Sequence, residues 1–403
     1  MLRQPDDLDA AFEYAAVSAE LGDLEGAIST LERMLIFAPG LPRLQFELGV
    51  LYYRLGAYQT AATYFRSVEA APDVPPEVQG QVAAYLAAVE RRATGTQLSG
   101  FAMTGLRVQS NANAGPASAA ITLNGIGFTL SPGAVGQPDA NAFISGGLNF
   151  STDVPSQGDR FNLSLAGYGS LYRTQGQLNT GVIELRAGPE FDLGRIRIDN
   201  ANIGVYGVVG GAIVGGAPYL LSGGAGSNLT IALDARSELR LRGEARYSQY
   251  LDSPQRPTAS LRSGPQVSGE ISYRYQVTPE LGLFMSAGLD RRWAQRNYLS
   301  AWQAGARAGA TYAFASPIEA LEAPWRIGIS ASAQHLIADA PDPVFSPVDP
   351  EKTTTVSLEG KLTIPLPNAF AIEASAGYTR ALSNYGLSSY DNLWASIGIG
   401  RSF

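Results

Sequence analysis

The sequence predicts a small all-helical domain over residues 1–94, followed over residues 95–403 by an antiparallel transmembrane β-barrel of about 14 strands. Three observations carry this. From Gln97 to Phe403 the chain alternates apolar and polar residues in strand-length runs. The connections between those runs alternate between short and long. Ahead of them, residues 8 to 72 repeat at a period of about 34.

The alternation is clearest from Glu238 to Ser248. Leu239, Leu241, Gly243, Ala245 and Tyr247 fall on one face, and Glu238, Arg240, Arg242, Glu244, Arg246 and Ser248 on the other. A row of charges opposite a row of mostly small apolar residues suits a wall with lipid outside and a wet lumen inside. Composition agrees. Charged residues are 16% of the chain, against about 25% in soluble domains. Glycine is 45 of 403 residues, and glycine relieves crowding in a curved, sheared sheet. There is no cysteine, so a disulfide or thiolate metal site is excluded. The net charge of −7 disfavours nucleic acid as a partner.

In chain order, the helical repeat pairs Ala15 with Gly49, Leu21 with Leu55, Gly22 with Gly56, Ala27 with Ala61 and Leu31 with Phe65. Small residues where helices cross, and large ones in the groove between, are the mechanics of a tetratricopeptide unit. A third helical segment, Glu77 to Arg92, carries one apolar stripe through Val78, Val82, Tyr85, Leu86 and Val89 and is expected to cap the stack. Ala93 to Gln97 is expected to be a linker. The opening residues Met1 to Asp7 hold no apolar core of a signal peptide, so a leader removed ahead of them is expected.

Strands are expected near 98–112, 141–153, 159–174, 178–192, 201–214, 218–233, 237–251, 261–277, 280–296, 298–314, 324–338, 352–366, 369–382 and 390–403. Ala201 to Leu221 carries no charge and is long enough for a helical span, but six glycines and Pro218 fit a hairpin better. Asn113 to Ala140, Asp252 to Ser260 and Asp339 to Glu351 are long connections after odd strands; Pro155 to Gly158, Thr278-Pro279 and Leu366 to Asn368 are short ones after even strands. Short turns face the periplasm in such barrels, which would put the helical domain there and the barrel in a Gram-negative outer membrane. Asp192 to Asn200 and Ala315 to Pro324 are longer than this rule prefers. Phe161, Tyr247, Tyr275, Trp293, Trp302, Tyr312, Phe314 and Tyr378 are candidates for a lipid-facing aromatic girdle.

Chemistry for catalysis is thin, and the chain is not expected to be an enzyme. His335 is the one histidine, no G-x-S-x-G elbow occurs, and no cofactor motif is present. Asp339, Asp342, Asp349 and Glu351 share a loop, but their spacing matches no calcium loop. The informative surface is the lumen. Candidate lumen-lining residues are Glu184, Arg186, Glu238, Arg240, Arg242, Glu244, Arg246, Glu270, Arg274 and Arg307. Acids and bases nearly cancel around the proposed wall, which fits interlocking ion pairs, a polypeptide route or a plugged bore better than a conduit for a polyanion.

Ser110 to Pro116 closes the first strand and contains an N-x-N-x-x-P element, Asn111, Asn113 and Pro116. The last strand alternates Leu393, Ala395, Ile397, Ile399, Arg401 and ends on Phe403; Ile397, Ile399 and Phe403 resemble the signal read by the outer-membrane barrel-assembly machinery. Together with the helical repeats and the strand count, these residues resemble the surface lipoprotein assembly modulator family. The chain departs from it in having few helical units. The resemblance implies delivery of a lipoprotein or secreted protein to the cell surface, with a protein cargo or periplasmic protein at the helical domain, and outer-membrane lipids and the assembly machinery as partners. Two other readings stay open: an exopolysaccharide export pore, and a membrane-anchored scaffold with a periplasmic docking module.

Overall fold

The computed structural model describes residues 8–37, 40–72, 74–93, 96–154, 158–196, 198, 200–321 and 323–403. The chain divides into two compact units. The first comprises residues 1–97 with 151–161 and 191–199, and the second the remainder. The described part of the first unit begins with five helices: α1 (Leu8–Glu20), α2 (Leu24–Phe37), α3 (Pro42–Arg54), α4 (Tyr58–Glu69) and α5 (Pro76–Ala93). Starts of α1 and α3, and of α2 and α4, lie 34 residues apart, which is the period read from the sequence. The matched small and large positions are where the helices meet, since Ala15, Ala27, Leu31, Ala61 and Phe65 are all buried. Phe65 stacks on Tyr85 of α5 with ring centroids 4.9 Å apart, so the fifth helix closes the apolar groove left by the fourth. Among the described residues no helix is long and apolar enough to cross a membrane.

Fourteen of the described strands form one closed antiparallel barrel. They are β1 (Thr96–Gln109), β4 (Asp139–Asp153), β5 (Arg160–Tyr172), β6 (Thr180–Asp192), β7 (Ala201–Val214), β8 (Ala217–Ala232), β9 (Ser237–Tyr250), β10 (Gly264–Gln276), β11 (Leu281–Arg292), β12 (Ala301–Phe314), β13 (Trp325–Ala338), β14 (Lys352–Pro365), β15 (Phe370–Ser383) and β16 (Tyr390–Ser402). Two further strands, β2 (Ala120–Leu123) and β3 (Ile126–Thr129), make a separate hairpin in the connection after β1. Each barrel strand pairs with its neighbour in sequence, and β16 returns to β1 to close the ring. No edge is left open.

Four expectations are refined. Of the expected linker Ala93–Gln97, Ala93 ends α5 and Thr96 and Gln97 open β1, while residues 94 and 95 lie outside the described residues. Strands expected to start at 261 and 298 start at Gly264 and Ala301, because short 3-10 turns at Ala259–Arg262 and Asn297–Leu299 occupy the preceding residues. The glycine-rich stretch from Ala201 is a hairpin. Gly215 and Gly216 both take positive φ, 63° and 81°, as a tight two-residue turn between right-twisted strands requires. The long connection after β1 is not featureless: Asn124 and Gly125, at φ 49° and 79°, turn the β2–β3 hairpin in the same way.

Strand parity divides the wall into two faces. Leu106, Val108, Leu241, Tyr247, Met285, Leu289, Ile329, Leu358, Leu393, Ile397 and Ile399 lie on one face, and all are exposed. An exposed apolar band around a closed barrel is a surface for hydrocarbon. Trp293, Trp302, Tyr312 and Tyr378, expected in the girdle, are on this face and exposed. At one rim Arg291 lies over Trp293 and Trp302, 5.0 and 5.2 Å from the ring centroids, and makes paired 2.6 Å bonds to Asp339. That guanidinium holds the Asp339 carboxyl below the usual carboxylate range. His335 is on the same outer face, its Nδ1 2.9 Å from Thr354 Oγ1.

Candidate functional site: the lumen wall

The charged residues read from the alternation lie on the opposite, inner face. Their contacts show it: Glu184 of β6 meets Arg246 of β9 at 2.6 Å, although β7 and β8 lie between. Side chains span that interval only across the concave side of the sheet. Glu244 is the hub. It accepts from Arg242 Nη2 at 2.7 Å, from Arg246 Nε, and from the Tyr206 hydroxyl at 3.0 Å, and its side chain is 6% exposed. Arg186 reaches Glu184 at 2.5 Å and lies 3.8 Å from Glu244. Three arginines therefore share two glutamates, leaving one positive charge in excess within this cluster.

Local sequence makes room for the hub. Gly226 stands between Tyr206 and Glu244 in the strand register. A Cβ at Gly226 would sit 2.6 Å from the tyrosine ring and hydroxyl, so only glycine lets the ring lie across the wall. Arg186 and Arg242 each lie 5.9 Å from the same ring, so cations occupy the tyrosine's surroundings. The hydroxyl also accepts from Arg242 Nε at 2.9 Å.

Beside this cluster is a hollow of about 420 Å³, from β5 to β9. Asn202, Thr230 and Arg240 are direct neighbours in register at one level of it. Asn228 lies at the next level, facing Gly204, where a Cβ would come within 2.6 Å of the asparagine Oδ1. Glu190 accepts from Asn162 Nδ2 at 3.1 Å and from Asn202 Nδ2 at 3.5 Å. Arg240 donates to Thr230 Oγ1 at 3.3 Å and to Glu238 at 3.3 Å.

The other expected lumen residues fall into smaller groups. Arg274 lies 3.8 Å from Glu238. Glu270 stands opposite Arg242 in register, outside the main cluster. Arg307, three strands from β9, bonds Glu359 at 3.3 Å and Ser330 at 2.9 Å. Lys361 and Glu373 pair at 2.7 Å. The seam where the chain ends meet has a different lining. Arg107 of β1 lies 4.6 Å from the Trp394 ring of β16 and 6.0 Å from Phe143 of β4.

The N-x-N-x-x-P residues build the loop after β1. Asn111 Nδ2 donates to Gly115 O at 2.7 Å and to Asp391 O at 3.0 Å, while its Oδ1 accepts from Gly115 N. Asn113 Nδ2 donates to Val135 O at 2.9 Å, and its Oδ1 accepts from Gln137 N at 2.8 Å. Pro116 O accepts from Gly136 N at 3.1 Å. These are backbone-bracketing roles. The loop then meets its neighbours: Asn124 N donates to Phe345 O, and Phe345 stacks on buried Tyr385 at 4.7 Å. Ile397 and Ile399 face outward on β16, and the Phe403 main chain pairs with Gly100 at 2.8 and 3.0 Å.

Sequence reading passed over Tyr206, the asparagines of the hollow and the Arg107–Trp394 pair. Strand parity places each of them on the face of the charges, but none except Arg107 carries a charge of its own to mark that face.

No protein-family model matches the chain, and neither does any curated protein sequence. Solved structures with a similar fold include the outer membrane channel DcaP of Acinetobacter baumannii, at 10% identity and a TM-score of 0.42, covering 76% of this chain and 97% of that one. A bacterial polysaccharide outer membrane secretin matches at 10% identity and a TM-score of 0.39, over 75% of this chain and 98% of its own. CdiB from Escherichia coli matches at 11% identity and a TM-score of 0.42, over 76% of this chain and 63% of its own.

Proposed function

We propose that this protein is a Gram-negative outer-membrane translocator, not an enzyme, that helps deliver a lipoprotein or secreted protein to the cell surface. The observation that carries the reading is the inner wall. Among the described residues its arginines and carboxylates pair with one another across four strands, with one positive charge in excess in the main cluster, so both signs stand where a conduit for a charged polymer would need one. A wall of that kind tolerates a polypeptide of mixed charge. The chain enters the barrel at the start of β1, the end that carries the turns 233–236, 277–280 and 366–369, which is the periplasmic end by the rule of short turns. The helical unit is then a periplasmic receiving module of tetratricopeptide type. Two helix pairs offer a small surface, suited to a transient protein contact. This is the role implied by the resemblance to the surface lipoprotein assembly modulator family.

The test is removal of residues 1–92. The shortened chain should still insert as a heat-modifiable barrel, and surface display of the host's surface lipoproteins should fall to the level of a strain lacking the protein. Normal display by the shortened form would overturn the receiving role. Unprocessed polysaccharide accumulating in the deletion strain, with protein display intact, would move the reading to a glycan exporter.

A further inference from the structure

The hollow between β5 and β9 is the strongest unassigned feature of the inner wall. It gathers three side-chain amides, Asn162, Asn202 and Asn228, with Glu190, Thr230 and Arg240. We propose that it is a subsite for an extended polypeptide backbone, held through its peptide groups and not through its side chains. This rests on the translocator reading and names the site where cargo would touch the barrel.

A side-chain amide offers the same donor and acceptor as a peptide group, so it pairs with either a backbone N–H or a C=O. Glu190 accepts from Asn162 and Asn202 and keeps further lone pairs for N–H groups, and Arg240 donates to Thr230 and Glu238 and keeps further N–H donors for C=O groups. Gly204 carries no Cβ where Asn228 Oδ1 lies, so the amide of Asn228 rests across the wall of the hollow and not above it. From β5 to β9 there are four inter-strand steps of about 4.8 Å, a span of about 19 Å, which takes five or six extended residues at about 3.3 Å each. The charges flanking the hollow, Arg186 and Arg242, are engaged with Glu184 and Glu244, so they select weakly on the charge of passing side chains. A sugar chain would use the same hydroxyl-binding groups but would also need an aromatic face for its ring. Tyr206, the aromatic ring lining the hollow, has its hydroxyl held by Glu244 and Arg242, and Arg186 and Arg242 lie 5.9 Å from the ring, so a sugar would compete with these cations for its face.

The chain has no cysteine, so a single thiol can be placed at will. Asn228→Cys puts it in the hollow. Ser375→Cys puts it on the inner face of β15, seven strands away from β8 in a ring of 14 and thus on the opposite wall. The probe is a 20-residue glycine-serine peptide with one mid-chain cysteine activated as a pyridyl disulfide. The protein thiolate attacks the peptide sulfur and releases pyridinethione, which is read by absorbance. Each rate is divided by that for 2-hydroxyethyl 2-pyridyl disulfide, a small reagent with the same leaving group, which removes differences in thiol reactivity. We expect the full chain in detergent to react at least tenfold faster at 228 than at 375, and Asn162→Ala with Asn202→Ala to bring the ratio near one. Thr230→Cys serves as a second position in the hollow should Asn228→Cys not give a heat-modifiable barrel. Equal normalised rates on both walls would overturn the subsite. An identically activated oligosaccharide showing the same preference would overturn its assignment to polypeptide. The readout uses purified protein and no cargo, so failure of surface delivery in cells would count against the translocator reading alone.

Discussion

Replacing Glu244 by glutamine should cost the barrel about 3 kcal/mol. The carboxylate accepts from Arg242, Arg246 and Tyr206 and is nearly enclosed by them. Glutamine keeps the size but leaves three arginines around one remaining carboxylate, Glu184, and turns one acceptor into a donor facing donors. Removing one partner of a buried ion pair costs about 3–5 kcal/mol. The arginine side chains here keep 18–35% of their exposure, so water reaches them and the lower end applies. Urea titration of the barrel in lipid vesicles, followed by tryptophan fluorescence, reads this as a fall in midpoint of about 1.5 M for an m value of about 2 kcal/mol/M. Adding Arg246→Gln should return part of the loss, because it removes one of the stranded charges. The double variant should be more stable than the sum of the single losses implies, by about 1.5 kcal/mol. Loss below about 1 kcal/mol from Glu244→Gln, or strict additivity in the pair, would refute the claim that this cluster is mutually compensated.

Other outcomes follow from the same structure. Deleting Phe403 removes the last main-chain pair with Gly100 and the outward aromatic at the strand end, so the amount of heat-modifiable barrel in the outer membrane should fall several-fold while the helical unit stays folded by limited proteolysis. The Tyr52 hydroxyl donates to Glu32, which pushes its pKa up to about 12 from 10. A folded-state value raised above the unfolded one gives a contribution fully present below pH 10 and lost as pH climbs toward 12, so the helical signal at 222 nm should become less heat-stable across that window, and Tyr52→Phe should flatten the dependence. Single thiols test orientation: a membrane-impermeant maleimide on intact cells should label Ala117→Cys, in the connection after β1, and should label Glu280→Cys, in the β10–β11 turn, only after the outer membrane is opened.

Most of the barrel was legible because its wall obeys one rule for about 300 residues: alternate side chains meet two different solvents. The strand boundaries drifted where short 3-10 turns replace ladder pairing, as at Asn297–Leu299, since Tyr298 and Leu299 there read as strand-forming residues. The β2–β3 hairpin carried its signal openly in Asn124-Gly125, but four-residue strands are too short for alternation to stand out. The lumen residues were legible as a face and not as partnerships. Glu184 and Arg246 are 62 positions apart with two strands between them, and nothing local in the sequence says that they meet. Asn111 and Asn113 looked like a functional signature and are engaged in holding a 29-residue connection, 110–138, to its neighbours.

The most direct measurement is the current through single molecules of the full chain in planar bilayers. The charges of the described wall are of both signs and nearly balanced, and the barrel has 14 strands, fewer than the 16 to 18 or so that leave a clear aqueous channel. We predict small or flickering conductance with weak preference between cations and anions. Large, steady and strongly selective currents would contradict a polypeptide translocator and show a porin-like bore.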